Sequence, residues 1–284
     1  SLSSDLVDSR LSEMCRRFKK AYQLEGYKKT DFLIVSRGDS TLRGHGFLEP
    51  TIINKELGPF DATFHVPAFL EGGRTTVNGF HFLDGIPVHK TIFAQDKIFG
   101  FSTSNIACWL EENSKGKIHA SDVTLLNIEL INSALESQVG FENLLTWLSN
   151  LSENSYVVVD AEKACHLDIF SKAIKILLPQ KKFLFRSAAS LLNSFSSLPN
   201  QKITTNDFVS LRIKDSNLQL KPGLILVGSH VQLADDQLTE LLDRNTRCVG
   251  IELPVSKISR LMHGNTSDLR LIDLKKEWLN IIVD

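Results

Sequence analysis

The chain is poor in the residues that mark metal, disulfide and membrane proteins. Its four cysteines, Cys15, Cys108, Cys165 and Cys248, lie far apart and form no C-x-x-C pair. That spacing gives neither a zinc-site pattern nor a disulfide framework, so a reducing cytoplasm is the expected compartment. No apolar run approaches the roughly 18 residues of a membrane span, and the N-terminus lacks an apolar signal core. Lysine and arginine (32) nearly balance aspartate and glutamate (33), for a formal net charge of -1. No global basic field therefore argues for nucleic acid or an anionic membrane as a partner. Neither G-x-x-x-x-G-K-[ST] nor G-x-G-x-x-G occurs, which disfavours a P-loop kinase and a typical NAD-binding domain. His65, His81 and His89 have no spacing typical of a metal site and read as ordinary polar residues.

What is present fits a globular α/β protein. The 284 residues, 42% hydrophobic and 23% charged, suffice for one large domain or two ordinary ones. Leu6, Val7, Leu11, Met14, Cys15, Phe18 and Tyr22 recur at helical spacing, with Gly26 just beyond. Strand 31–36 follows, then a short helix over 47–57 and a strand at 63–66. Ser102 or Ser104 is placed to cap a helix carrying Ile106, Ala107, Trp109 and Leu110. Strand 123–126, helix 141–150, strand 156–159, helix 166–178, strand 183–185 and helix 187–195 continue the pattern. Short β-branched runs alternating with helices predict a three-layer α/β fold, a mostly parallel sheet with helices on both faces. Residues 196–221 are rich in Ser, Asn, Lys and Pro and read as a boundary. Beyond them come a strand at 223–227, a helix over 233–243, a strand at 248–251 and a helix over 273–282. This is too little for a full domain and reads as part of a second α/β domain.

In open α/β sheets ligands sit beyond the carboxyl ends of the strands. That rule selects Arg37, Gly38, Asp39, Ser40, Thr41 and Arg43 after the first strand, Asp160 after strand 156–159, and Arg186 with Ser187 after strand 183–185. The loop from Ser36 to His45 packs two arginines, a carboxylate, three hydroxyls, an imidazole and two glycines into ten positions. This chemistry suits a small hydroxy acid. Arginine takes a carboxylate in a bidentate fork. Asp39 is placed to accept from a hydroxyl or to act as its general base, and Gly38 and Gly44 let backbone N–H groups approach closely. The structural alternative has Asp39 or Thr41 capping the next helix and Arg43 pairing with Glu49. Gly72 and Gly73 mark a tight turn; Arg74, Thr75 and Thr76 beside it add a second anion-friendly cluster, or else simply lead into a hairpin. Gly228 and Ser229, at a strand end before a helix, form a weak nucleotide-phosphate signal.

These residues resemble the four-carbon acid sugar kinase family. The resemblance rests on the run from Arg37 to His45 and on Pro67-Ala68-Phe69 with Gly72 to Thr76. Further motifs follow in order: Thr91 to Asp96, Phe99 to Phe101 with Ser104-Asn105, Trp109 to Glu112, Val158 to Ala161, and Phe185 to Ser190. It covers most of 31–195 and resumes around 224–242. It implies an ATP- and Mg²⁺-dependent kinase acting on a hydroxyl of a threonate-, erythronate- or 3-oxo-tetronate-type acid. Arg37, Gly38, Asp39 and Ser40 fall on the family's sugar-binding loop, with Thr41 and Arg43 beside them. Ser229, with Gly228, falls at the nucleotide, and no metal ligand is assigned. The implied organisation is a sugar-acid-binding domain over 1–200 lacking its first strands, a linker over 201–221, and a partial nucleotide-binding domain over 222–284. The partners expected are the sugar acid and ATP. An open sheet edge adds a homodimer as an expectation, and a non-catalytic sugar-acid-binding module is the alternative function.

Overall fold

The apolar runs pair as parallel strands, and the amphipathic helices between them cover the two sheet faces. The computed structural model describes residues 3–28, 32–196, 204–221, 223–229, 231–244, 248–253, 255, 272–273, 276 and 279. The chain divides into two units, Ser1–Gln201 and Lys202–Asp284.

In the first unit the strands are β1 (Ile34–Arg37), β2 (Ala62–Val66), β6 (Val123–Leu126), β7 (Ser155–Val159) and β8 (Phe183–Ser187). They form a five-stranded sheet in the order β1-β8-β2-β7-β6, with every neighbouring pair parallel. Their carboxyl ends therefore share one edge. A small antiparallel sheet, β3 (Arg74–Val77), β4 (Phe80–Leu83) and β5 (Ile86–Pro87), lies in the connection after β2. The segment from Gly72 to Leu83 is thus a turn leading into a hairpin.

Alternation along the strands sorts the core into layers. Phe64, Val66, Val157, Val159, Phe183 and Phe185 face α4 (Ile128–Glu136), α5 (Gln138–Ser149), α6 (Ala164–Leu177) and α7 (Ser190–Ser196). Phe64 sits at the centre, edge-on to Phe170 and Phe183, both with ring centroids at 5.2 Å, and stacked on Phe185 at 5.4 Å. Such ring pairs add about 0.5–1.5 kcal/mol beyond their buried area. On the opposite face Leu184 packs with Cys15 of α1 (Ser4–Leu24) and with Ile53 and Leu57 of α2 (Leu48–Leu57). Val158 packs there with Ile106, Trp109 and Leu110 of α3 (Ile106–Ser114). The result is the three-layer α/β architecture.

Several elements differ from the sequence expectation. The first strand is Ile34–Arg37, later than 31–36, so Ser36 and Arg37 belong to the ladder. β8 runs on to Ser187, which places Arg186 inside a strand, and α7 starts only at Ser190. α3 is capped by Asn105, whose Oδ1 accepts from the Cys108 N–H at 3.1 Å. Neither serine caps it; the Ser104 hydroxyl is held by His89. α4 is an additional helix, started by Asn127 accepting from the Leu130 N–H.

In the second unit α8 (Thr205–Leu211) and α9 (Gln232–Arg244) form. The strands expected at 223–227 and 248–251 do not; those residues have no regular structure. Leu224, Ile225, Leu226 and Val227 are exposed, and a strand without a partner leaves its backbone groups and apolar face uncompensated. Most of the helix expected over 273–282 lies outside the described residues.

Candidate functional site

The strands delivering the selected residues, β1, β8, β2 and β7, are consecutive in the sheet. A cavity opens at their carboxyl edge. It is lined by Gly38, Asp39 and Arg43 from the loop after β1, His65 and Pro67 from β2 and its exit, and Arg186 from β8, with Trp109 on α3 as a further wall. Arg37, Ser40, Thr41, Arg74 and Asp160 do not line it.

Asp39 organises its own loop. Its Oδ2 accepts from the Arg43 Nε at 2.9 Å, the Arg43 backbone N–H at 3.3 Å and, by a short bond, the Thr41 hydroxyl. Oδ1 accepts from no described residue. Burial pushes the carboxyl up, but the bonds from Arg43 and Thr41 and the Arg43 charge outweigh it, so Asp39 lies below the usual carboxylate value. Arg43 stacks on Phe93, 4.9 Å from the ring centroid, with Nη1 3.8 Å from Asp96. Its Nη groups donate no hydrogen bond to a described residue. The turn needs Leu42 at φ +65° and Gly44 at φ +101°. A positive φ is costly for leucine, and full burial of its side chain beside Val158 holds it there.

Arg186 is committed beneath the loop. Its Nη1 makes a short ion pair with Glu49 and donates to the Ser36 hydroxyl at 2.8 Å and the Arg37 carbonyl at 3.2 Å. Gly38 is required above it: a Cβ there would stand 2.8 Å from Arg186 Nε. Glu49 thus pairs with Arg186 rather than Arg43, and neither Asp39 nor Thr41 caps α2, whose N-cap is Phe47. Arg37 is exposed and has no acidic partner among the described residues.

Asp160 and Arg74 have other surroundings. Asp160 is fully buried, and its carboxylate accepts from the backbone N–H groups of Asn78 at 2.8 Å, Gly79 at 2.9 Å and Ile128 at 3.2 Å. It pins the β3–β4 turn and the start of α4 to the end of β7. Burial raises this carboxyl even though all three amides pull it down. Arg74 donates to the Gly72 carbonyl and lies over Phe69. From β4, His81 reaches back to the loop, with Nε2 2.8 Å from the Ser40 carbonyl and Nδ1 3.0 Å from the Thr76 hydroxyl. A carbonyl can only accept, so Nε2 carries the proton. Burial lowers His81 to about 4. The hairpin is therefore a strut between β7 and the β1 loop.

His65, Trp109, Glu49 and His81 were not selected from sequence. Each owes its position to the register or to a tertiary contact; only Trp109 lies in one of the motifs that carry the resemblance. At the other expected site, Gly228 and Ser229 are exposed and without regular structure. Ser229 Oγ accepts only a long bond, 3.4 Å, from the Val231 N–H. Among the described residues no three metal-ligating side chains gather, and no helix is long and apolar enough to cross a membrane.

Fold and cavity together define a parallel α/β domain with a pocket at the carboxyl edge of its sheet, where Asp39, Arg43, His65 and Arg186 meet a largely apolar wall. The sugar-binding N-terminal domain family matches residues 1–195. The chain belongs to that family, in agreement with the four-carbon acid sugar kinase family that its motifs resemble. No curated protein matches the chain in sequence. Among solved structures, it resembles a Bordetella bronchiseptica protein with a domain of unknown function, a domain-swapped dimer with bound citrate. The TM-score is 0.51 at 21% identity, over 69% of this chain and 42% of that one. A Haemophilus influenzae protein of the same domain family aligns with a TM-score of 0.52 at 16% identity, over 94% of this chain and 58% of that one. The chain thus spans less than two thirds of the length of either structure.

Proposed function

We propose that this chain supplies the acceptor-binding part of a kinase for a four-carbon sugar acid of the threonate or erythronate type. The observation that carries the reading is the division of labour at Asp39. Its Oδ2 fixes the Arg43 Nε, which leaves the Nη edge of Arg43 to take the acid's carboxylate. Its Oδ1 remains for a substrate hydroxyl, the arrangement by which a carboxylate orients an attacking hydroxyl in phosphoryl transfer. A depressed carboxyl suits an orienting acceptor better than a strong base. Gly38 lines the cavity beside this rim and Thr41 braces Asp39, while Arg37 and Ser40 flank the loop outside the lining. Citrate, a hydroxy acid, in the Bordetella structure agrees with this ligand class.

ATP with Mg²⁺ is the donor that the family resemblance implies; the part of the reaction assigned to these residues is acceptor binding. The sugar-binding match over residues 1–195 equally favours a second reading, in which the chain binds the acid and does no chemistry. Phosphate transfer from ATP–Mg²⁺ to threonate and erythronate separates the two. Turnover that Asp39→Asn reduces at least a hundredfold supports the kinase. Acid binding without turnover supports the module, and failure of both acids to bind removes both readings. All four cysteines are free, which agrees with a cytoplasmic location. β1 lies at an edge of the described sheet, and a homodimer paired there would double the mass seen in sedimentation.

A further inference from the structure

Beneath the Asp39 and Arg43 rim, two buried polar groups of the cavity lack partners. His65 is 2% exposed and Trp109 3%. Neither the His65 Nε2 nor the Trp109 Nε1 makes a hydrogen bond among the described residues, yet both side chains line the same cavity. Native proteins rarely leave such atoms unsatisfied, since each costs about 1–3 kcal/mol. The cavity is open to the rim, and its space for water-sized groups is about 20 Å³, room for a single oxygen-sized group.

Charge and donor chemistry narrow what that group is. The cation nearest the floor, Arg186, already holds Glu49, so the floor offers no net positive charge to a carboxylate. Burial, aided by the charge of Arg186 in register beside it, holds the His65 imidazole neutral, at about 3. An indole N–H only donates; a neutral imidazole nitrogen donates or accepts. A hydroxyl serves both, accepting from Trp109 while donating to or accepting from His65.

We infer that His65 and Trp109 form a hydroxyl-reading floor, which takes one secondary hydroxyl of the acid whose carboxylate and reacting hydroxyl sit at the Arg43 and Asp39 rim. This rests on the sugar-acid reading above and adds a specificity determinant to it. Without ligand, an ordered water takes the same place.

The test compares threonate and erythronate with 4-hydroxybutanoate, which keeps the carboxylate and terminal hydroxyl but lacks both secondary hydroxyls. Calorimetry on the full chain should show the better of the two sugar acids binding on the order of tenfold tighter than 4-hydroxybutanoate, the worth of one or two satisfied hydrogen bonds. His65→Phe should bring that ratio close to one, and Trp109→Phe should lower it part of the way. In the wild type the sugar acid should shift the Trp109 indole N–H resonance and 4-hydroxybutanoate should not. That readout stands if a variant fails to fold. A ratio unchanged in His65→Phe, or an indole signal indifferent to the secondary hydroxyls, overturns the floor while leaving the rim reading intact. If no acid binds the wild type, the sugar-acid reading itself fails, and the floor with it.

Discussion

Lowering the pH from 7 to 5 should weaken the first unit through His65 and His81. Both are buried, and their folded values are held near 3 and 4 against about 6.5 in an unfolded chain. The sign follows from linkage. Below pH 6.5 the unfolded chain takes up protons that the folded chain refuses, so stability falls as the pH falls through that value. Each histidine then loses about 1.9 kcal/mol between pH 7 and 5, together just under about 4 kcal/mol. Asp39, held low, contributes stability lost only below about pH 4. Asp160, held high, acts in the opposite sense to the histidines, so the histidine part is best read as a difference between proteins. Urea unfolding at both pH values, for wild type and His81→Gln, isolates it: the variant should lose about 1.9 kcal/mol less than wild type. Equal losses in the two proteins would refute the assignment of a buried neutral imidazole to position 81.

Three substitutions probe the supports of the site. Asp160→Ala strips acceptors from the N–H groups of Asn78, Gly79 and Ile128; it should cost about 2–4 kcal/mol and speed hydrogen exchange at those amides first. Gly46→Ala would place a Cβ 2.0 Å from Trp109 Cη2, in a wall that cannot give way, at about 1–3 kcal/mol in urea unfolding. Glu49→Ala leaves the buried Arg186 guanidinium without its counter-charge and should cost about 3 kcal/mol or more.

Much of the fold was legible in the chain. Apolar runs located β2, β6 and β7 within a residue, and the alternation of strands and helices gave the layers. α4 was not read, although Asn127 and Ser137 are both N-caps there, because two short helices in succession blur one apolar period. The run at 223–227 has strand composition, and composition alone does not supply a neighbouring strand. The density of the loop from Ser36 to His45 pointed to the site, yet the roles inside it depend on distant partners. Arg186 faces the cavity because β8 extends two residues further than its apolar run suggested. Asp160 holds backbone amides rather than facing the cavity because the β3–β4 turn folds over it. His65 reads as an ordinary polar residue until its register beside Arg186 is known.

The central claim is that the Asp39 and Arg43 rim holds a sugar acid. A crystal structure of the chain with threonate or erythronate tests it most directly. The account predicts a carboxylate on the Arg43 Nη edge and a hydroxyl within hydrogen-bond distance of Asp39 Oδ1. A ligand bound away from the carboxyl edge of β1, or held there with Asp39 and Arg43 uninvolved, would contradict it.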